Sequence, residues 1–224
     1  MKGATNSLFI IAAILAVLAA YLIGSINFAV IFSRVFLKRD VRELGSGNAG
    51  TTNVMRNAGF LPGALTFIFD ALKGFAAVCI GKAVFSYIHN ATLTDWSEPI
   101  YGAYICGLFC MLGHVFPIYF QFKGGKGVAT SVGIFSVCSP IAIISGLSVF
   151  AVSTLISKFV SLSSLLATVV VVVLSIVFRD TSALLLPQAV MSILMGALVF
   201  FKHKDNIKRL IAGTESKVGK GGKK

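Results

Sequence analysis

Charged residues are scarce in this chain of 224 residues: they make up 12% of the sequence, whereas 56% of the residues are hydrophobic. The mean hydropathy of +0.89 lies outside the range of water-soluble globular domains. A helix needs about 20 apolar residues to cross the hydrocarbon core of a bilayer, so the length admits about seven spans and little else. The composition argues against a soluble domain and predicts one compact, all-α integral membrane domain.

Several catalytic and metal-binding patterns are also missing. The four cysteines lie in apolar stretches without a CxxC pair, so we interpret them as small hydrophobic residues. No HExxH, catalytic triad or carboxylate pair occurs, and none of the three histidines begins the HxxxxD motif of acyltransferases that use acyl-CoA or acyl carrier protein. We therefore expect no metal and no cofactor, and a site that works by holding anions.

Seven apolar runs are candidates for spanning helices. They cover residues 7–36, 60–88, 99–120, 127–139, 141–157, 161–178 and 183–201. Pro140 leaves open whether the fourth and fifth runs are separate helices or one kinked helix. Gly24 and Asn27 predict close packing or a kink in the first run. Because that run continues to Leu37, we predict an uncleaved span and not a signal peptide.

Basic residues predict the side of the membrane on which each loop lies. Lysine and arginine concentrate near 38–56, 123–126 and 158 and in the C-terminal tail, which the positive-inside rule places in the cytoplasm. The segment 90–98 carries two acidic residues and no basic one. We therefore predict about seven spanning helices, with the N-terminus outside and the C-terminus cytoplasmic.

The C-terminal tail is the most basic part of the chain. Residues 202–224 carry eight basic and two acidic side chains. Nucleic acid is one possible partner of such a tail, but beside a long apolar chain anionic lipid is favoured. We predict a single domain over residues 1–215 and a disordered basic tail over residues 216–224.

The first polar segment runs from Gly45 to Asn53 as GSGNAGTTN and is followed by Arg56. Its three glycines allow backbone N–H groups to turn toward one ligand and form an anion-binding concavity. A helix beginning near Thr51 would add the partial positive charge of its N-terminus, and Arg56 would offer a fork for phosphate. The alternative interpretation is a flexible loop between two spans.

The second polar segment begins with Gly113-His114 and continues through residues 122–130, FKGGKGVAT. Two lysines, Lys123 and Lys126, frame a glycine pair before an apolar helix, which predicts a phosphate cradle. The segment lacks the first glycine and the hydroxyl residue of a Walker A loop, which argues against an NTPase. The alternative for Lys123 is an interfacial lysine that extends toward the membrane surface.

The third polar segment, from His203 to Glu215, places His203 and Asn206 on one face of a predicted helix. The alternative is the solvated basic end of the last span. Ser161, Ser163 and Ser164 open the sixth candidate helix and either donate hydroxyls to the same site or cap the helix.

Two charged residues lie inside the second apolar run. Asp70 and Lys73 are about one helical turn apart, and charges at such a depth tend to pair or to face a polar cavity. We predict a structural i,i+3 ion pair.

Taken in order, the three polar segments resemble the three motifs of the bacterial acyl-phosphate:glycerol-3-phosphate acyltransferase family, PlsY. The resemblance covers residues 24–215. It implies a seven-helix enzyme of the bacterial inner membrane with its active site facing the cytoplasm. The implied reaction transfers a fatty acyl group from acyl phosphate to the 1-hydroxyl of sn-glycerol 3-phosphate, giving lysophosphatidic acid and inorganic phosphate in the first acylation of phospholipid synthesis.

The resemblance also implies the site residues. The catalytic set is Ser46, Arg56, Lys126, His203 and Asn206. The substrate-binding set is Gly47, Asn48, Gly50, Thr51, Asn53, Lys123, Gly124, Gly125, Gly127, Ser163, Ser164, Arg209 and Glu215. The implied partners are the two substrates and membrane lipid, without nucleic acid, and a monomer is compatible with this.

Acyl phosphate is an activated anhydride, so its transfer demands neither a protein nucleophile nor a metal. We expect Arg56 and Lys126 to hold phosphate oxygens, and loop N–H groups or Asn206 to stabilise the oxyanion. The substrate phosphate is expected to accept the hydroxyl proton, with His203 as the alternative base. The alternative function is an organic-anion transporter, whose basic residues would be expected near mid-membrane and not at one end of the spans.

Overall fold

The computed structural model describes residues 2–179 and 185–218, with side chains from residue 7 onward. The regular structure in these ranges is helical, which confirms the predicted all-α fold. The α-helices are α1 (Lys2–Ser25), α2 (Phe28–Leu37), α3 (Thr51–Ala58), α4 (Phe60–Thr92), α5 (Pro99–Val115), α6 (Val128–Cys138), α7 (Pro140–Ser157), α8 (Val160–Val177), α9 (Leu185–Lys202) and α10 (Lys204–Ile211).

Six helical segments of the described residues are long and apolar enough to cross a membrane: Ser7–Leu37, Phe60–Thr92, Pro99–Phe120, Pro140–Ser157, Val160–Val177 and Leu185–Lys202. The remaining predicted span corresponds to α6, which has 11 residues. At 1.5 Å per residue α6 advances about 16 Å, roughly half the thickness of a hydrocarbon core. The first two residues of the last predicted span, 183 and 184, lie outside the described residues.

A break at Asn27 separates α1 from α2. The Asn27 Oδ1 accepts a hydrogen bond from the Val30 N–H at 3.2 Å and so caps α2. Gly24 lies so close to α5 that a Cβ added there would be 2.0 Å from the Cys110 carbonyl oxygen. Both the kink and the close packing predicted for this stretch are confirmed.

Glycines also let α4 approach its two main neighbours. A Cβ added to Gly81 on α4 would lie 2.2 Å from the carbonyl oxygen of Gly102 on α5. A Cβ added to Gly133 on α6 would lie 1.8 Å from the carbonyl oxygen of Ala71 on α4. Such backbone contacts, which any larger residue would prevent, are a means by which apolar helices associate in lipid.

The fourth and fifth apolar runs form two separate helices. α6 ends at Cys138 and α7 begins at Pro140, with the single residue Ser139 in a non-helical conformation between them. α6 packs mainly against α4 and α5, whereas α7 packs mainly against α8. The question that the sequence left open at Pro140 is thereby answered.

The order of the helices brings the three polar segments to one end of the bundle. The first segment follows α2, the second joins α5 to α6, and the third follows α9. The links after α4 and α6 lie at the other end. The side of the membrane that each end faces stays a prediction.

The beginning of the predicted disordered tail makes contacts in the structure. The Val218 N–H donates to the Lys158 carbonyl oxygen at 2.8 Å, and the Lys217 Nζ lies 5.3 Å from the centre of the Phe159 ring. The turn between α7 and α8 therefore holds these residues. The rest of the predicted tail, 219–224, lies outside the described residues.

Candidate active site

The side chain of Asn53 holds the loop that carries Ser46. Asn53 is 2% exposed, and its Oδ1 accepts a hydrogen bond from the Ser46 N–H at 3.2 Å. Its Nδ2 donates to the backbone carbonyl oxygens of Val41, Leu44 and Asn48 at 2.9, 2.9 and 3.1 Å. Both ends of the amide are therefore used to shape the loop, and contact of Asn53 with substrate stays a prediction.

The helix after this loop, α3, begins at Thr51 as predicted, with Gly50 as its N-cap residue. The Thr51 hydroxyl is buried and has no hydrogen-bond partner among the described residues. Ser46 and Arg56 are exposed, on the loop and on the last turn of α3. The first segment thus offers a hydroxyl, a guanidinium and a helix N-terminus to an anion.

The glycine pair of the second segment packs beneath the end of α5. The Gly124 N–H donates to the Val115 carbonyl oxygen and the Gly125 N–H to the His114 carbonyl oxygen, both at 3.2 Å. A Cβ added to Gly124 would lie 2.0 Å from the His114 carbonyl oxygen. A Cβ added to Gly125 would lie 2.3 Å from the His114 Nε2. The predicted phosphate cradle therefore does not use these two N–H groups, and the glycines are required by packing.

Lys126 is the residue of this segment that reaches the third segment. Its Nζ donates to the Asn206 Oδ1 at 2.5 Å, and the Asn206 Nδ2 donates to the Glu215 Oε1 at 2.6 Å. The Arg209 Nε donates to the Glu215 Oε2 at 2.6 Å, and the Ser161 hydroxyl donates to Oε1 at 2.8 Å. We call Lys126, Asn206, Glu215, Arg209 and Ser161 the lysine network.

The lysine network leaves donors free for a ligand. An ammonium has three N–H groups and an amide nitrogen has two, and each uses one in the bonds above. Glu215, in contrast, accepts three bonds from the protein and is itself an anion. Its contacts show that it orients Asn206 and Arg209, and its predicted contact with substrate stays a prediction.

Burial changes the protonation behaviour of the site. Burial lowers the pKa of Lys126 to about 8, although the carboxylate of Glu215 opposes the shift. Burial raises the pKa of Glu215, but hydrogen bonds from Asn206, Ser161 and Arg209 outweigh it and hold that pKa below its usual value. Lys126 is mainly charged at pH 7, next to an ionised Glu215.

His203 lies beside this network and is 2% exposed. Its Nδ1 lies 2.9 Å from the Val199 carbonyl oxygen, and because a carbonyl only accepts, we assign the proton to Nδ1 and the lone pair to Nε2. Burial, and then the charge of Lys126, lower the pKa of His203 to about 4. The imidazole is therefore neutral at pH 7 and a weak base.

A buried charged cluster supports the second segment from below. The predicted pair is confirmed, because the Lys73 Nζ lies 2.7 Å from the Asp70 Oδ1, and Nζ also donates to the Ile26 carbonyl oxygen at 2.6 Å. The His114 Nδ1 lies 3.5 Å from the same Asp70 oxygen. This role of His114 was not predicted from the sequence, where the only signal is its position directly after Gly113 at the end of an apolar run.

The two predicted serines at the start of α8 bond to their own helix. The Ser163 hydroxyl donates to the Phe159 carbonyl oxygen at 3.0 Å, and the Ser164 hydroxyl donates to the Val160 carbonyl oxygen at 2.8 Å. Neither caps the helix, whose N-cap residue is Phe159 without a side-chain bond. Ser161, the first of the three serines predicted either to donate hydroxyls to the site or to cap the helix, is the one that joins the lysine network.

An apolar cavity of about 120 Å³ adjoins the lysine network. Helices α6 to α9 and Phe67 of α4 line it. Its wall includes Val128, two residues after Lys126, and Val199, whose carbonyl oxygen is bonded to His203. Ser164, Gly146 and Gly196 also line it. A polar, cationic centre thus lies directly beside a space suited to a hydrocarbon chain.

The structure brings the predicted residues together in two groups. Lys126, His203, Asn206, Arg209 and Glu215 form one centre, with Ser161 added. Ser46, Gly47, Asn48, Thr51 and Arg56 lie on the loop and helix of the first segment. The two groups adjoin where Gly125 packs against Ala49. A Cβ added to Gly125 would lie 2.6 Å from the Ala49 carbonyl oxygen. Lys123 is exposed beside them.

The geometry can be compared with known proteins. A sequence profile of the family described as glycerol-3-phosphate acyltransferase matches residues 14–213. A glycerol-3-phosphate acyltransferase of Thermoanaerobacter sp. (strain X514) is 40% identical over 92% of this chain and 96% of its own length. Another from Francisella tularensis subsp. novicida (strain U112) is 41% identical over 89% of this chain and 90% of its own length.

Two solved structures are also similar. Both are of PlsY (YgiH), an integral membrane glycerol 3-phosphate acyltransferase, and both are 35% identical to this chain over 92% of its length. The glycerol 3-phosphate form has a TM-score of 0.78 and covers 96% of that chain, and the lysophosphatidic acid form has a TM-score of 0.76 and covers 95%.

Proposed function

Because this chain belongs to the glycerol-3-phosphate acyltransferase family, an integral membrane family, we propose that it transfers an acyl group from acyl phosphate to the 1-hydroxyl of sn-glycerol 3-phosphate. The products are lysophosphatidic acid and inorganic phosphate. The observation that carries this proposal is the position of Lys126 and His203 beside the apolar cavity. If the phosphate group of an acyl phosphate binds at Lys126, its acyl chain would lie in the cavity. The reacting carbonyl would then lie between Lys126 and the cavity.

Acyl phosphate as the donor fits the groups present. The carbonyl is already activated by a phosphate leaving group, so the site needs to position two anions and to neutralise charge. Lys126 and Arg56 supply cations, and the second N–H of the Asn206 Nδ2 supplies a donor for the oxyanion of the tetrahedral intermediate. The related PlsY has been solved in a glycerol 3-phosphate form and in a lysophosphatidic acid form, which correspond to one substrate and one product of this reaction.

The hydroxyl proton passes to a phosphate oxygen and not to His203. A phosphate monoester has a second pKa of about 6, whereas the pKa of His203 is lowered to about 4. The phosphate of glycerol 3-phosphate, a monoester, is therefore the stronger base of the two. His203 Nε2 has a free lone pair and can accept a hydrogen bond that orients the hydroxyl.

The donor can be tested directly with purified protein in detergent. Labelled glycerol 3-phosphate is supplied with palmitoyl phosphate or, in a parallel reaction, with palmitoyl-CoA. We expect labelled lysophosphatidic acid only from palmitoyl phosphate, and Arg56→Ala and Lys126→Ala variants should lose most of this activity while remaining folded. Acylation from palmitoyl-CoA alone would contradict the proposed donor.

The polar end of the bundle is proposed to face the cytoplasm of a bacterial inner membrane. All three polar segments lie at this end and carry the basic loops of the chain. This places the site where glycerol 3-phosphate can arrive from solution. We fuse a reporter that is active only in the cytoplasm after residue 224 and expect it to be active. An inactive reporter would indicate the opposite orientation.

A further inference from the structure

A cluster of charged residues outside the lysine network joins the first polar segment to the second. Asp40 is 9% exposed and accepts hydrogen bonds from the Arg42 Nε at 3.0 Å and from the Arg42 Nη2 at 2.8 Å. The Arg42 backbone N–H also donates to Asp40, at 3.0 Å. The Arg34 Nη2 donates to the same carboxylate at 2.9 Å. Asp40 thus fixes the Arg42 guanidinium in a bidentate geometry.

The third nitrogen of that guanidinium crosses to the second segment. The Arg42 Nη1 donates to the Phe120 carbonyl oxygen at 3.0 Å, and the Arg42 Cζ lies 5.8 Å from the centre of the Phe120 ring. Phe120 lies six residues before Lys126, in the turn that leads into FKGGKG. We call Asp40, Arg42 and Phe120 the arginine clamp.

The clamp acts on a loop that is fixed at both ends. On one side of Arg42, the Val41 N–H donates to the Ser33 hydroxyl at 3.0 Å and the Val41 carbonyl oxygen accepts from Asn53. On the other side, the Leu44 carbonyl oxygen accepts from the same Asn53 amide, which also binds the Ser46 N–H. A movement of Arg42 would therefore be transmitted to Ser46 through Asn53.

We propose that Arg42 is a positioning residue, which sets the distance between the Ser46 loop and the Lys126 segment. At this distance the phosphate groups of acyl phosphate and of glycerol 3-phosphate are held in the relative position that acyl transfer requires. This inference rests on the function proposed above. The Arg42 bonds described here go to Asp40 and Phe120, so Arg42 acts through the two segments and not on the substrate. The carboxylate that holds it is ionised at assay pH, because the hydrogen bond from Arg42 lowers the pKa of Asp40 to about 2.

Arg34 provides a matched control. It bonds to the same carboxylate but has no recorded bond to Phe120 in the described chain, and its side chain is 57% exposed against 21% for Arg42. We compare Arg42→Gln with Arg34→Gln in detergent. The readouts are kcat and the KM of each substrate, together with amide hydrogen exchange over residues 44–50 and 121–127.

For Arg42→Gln we expect faster exchange in both segments and a loss of about tenfold to a hundredfold in kcat/KM, the range produced by a misplacement of about 1 Å. Arg34→Gln should change neither exchange nor kcat/KM by more than about twofold. Arg42→Lys keeps the charge but has no fork to bridge Asp40 and Phe120, so it should lose most of the same rate. Arg42→Lys also tests the positioning role if the Arg42→Gln variant does not fold.

Several outcomes would overturn the proposal. Unchanged exchange in Arg42→Gln, or faster exchange with unchanged kcat/KM, would remove the positioning role, and so would a full rate in Arg42→Lys. An equal loss in Arg34→Gln would show that only the charge of the cluster matters. Wild-type protein that is inactive with palmitoyl phosphate would instead contradict the proposed donor, while the exchange comparison would still report on the clamp.

Discussion

The half-buried ammonium of Lys126 predicts an upper pH limit for phosphate binding. Burial lowers its pKa to about 8, with Arg209 and Lys202 lowering it further and with Glu215 and Asp205 opposing the shift. The charged form is therefore complete well below pH 8 and is lost as the pH rises through that value. At about pH 9 roughly one tenth of the protein would keep the charge, so kcat/KM should fall about tenfold for each unit of pH above 8.

Replacement of Lys126 by arginine tests this reasoning, because a guanidinium stays charged up to about pH 12. The assay measures kcat/KM for glycerol 3-phosphate between about pH 6 and about pH 10, since this quantity reports the pKa values of the free enzyme. We expect wild-type protein to show a basic limb near pH 8 and the Lys126→Arg variant to lack it below about pH 10, even if its maximum rate is lower.

Lys123→Arg is the matched control, since Lys123 lies in the same segment but is exposed. Its basic limb should coincide with that of the wild type. A limb near pH 8 that persists in Lys126→Arg would refute the assignment of that pKa to Lys126. A wild-type profile that stays flat to about pH 10 would refute the idea that this charge is needed for binding.

Three further variants probe the rest of the site. His203→Gln should stay within about tenfold of the wild-type rate with the same pH profile, whereas a loss of about a hundredfold or more would identify His203 as the general base. Glu215→Gln should lower the thermal unfolding temperature in detergent, because charge-assisted hydrogen bonds to this carboxylate contribute about 1.5 to 3 kcal/mol each; an unchanged temperature would contradict its role in the network. Gly196→Leu should fill part of the cavity, since even a Cβ there meets the Val172 side chain at 2.7 Å. Its rate with palmitoyl phosphate should then fall more than its rate with decanoyl phosphate, while Val190→Leu, at an exposed position of the same helix, should preserve the ratio.

The sequence predicted the helices and the gathering of polar segments because both depend on local composition and on connectivity. Apolar runs must be helical in a bilayer, since no water is present to satisfy their backbone groups. The kink at Asn27 was also predictable, because its amide caps the helix that follows within three residues. The separation of α6 from α7 was not predictable, because a proline permits either a kink or a break.

Roles within the site were harder to predict where they depend on distant partners. His114 is 44 positions from Asp70 in sequence, and no local pattern indicates that they meet. Gly124 and Gly125 matched a phosphate loop by composition, but their N–H groups bond to the end of α5. The sequence also did not indicate that the Asn53 amide shapes the Ser46 loop, and its contact with substrate stays a prediction. In each case the residue type was informative and its partner was set by tertiary packing.

The shortness of α6 has a consequence for the depth at which the chain turns back. α6 begins two residues after Lys126, and its length of about 16 Å is roughly half the thickness of a hydrocarbon core. The glycine segment before α6 and the turn at Ser139 after it therefore cannot both lie in the head-group layers, so at least one of them lies at hydrocarbon depth. Irregular backbone is tolerated at such a depth only when protein encloses it, and Ser139 is 3% exposed. The backbone at both ends of α6 is accordingly held by protein: Ser139 is buried, and the Gly124 and Gly125 N–H groups bond to the end of α5.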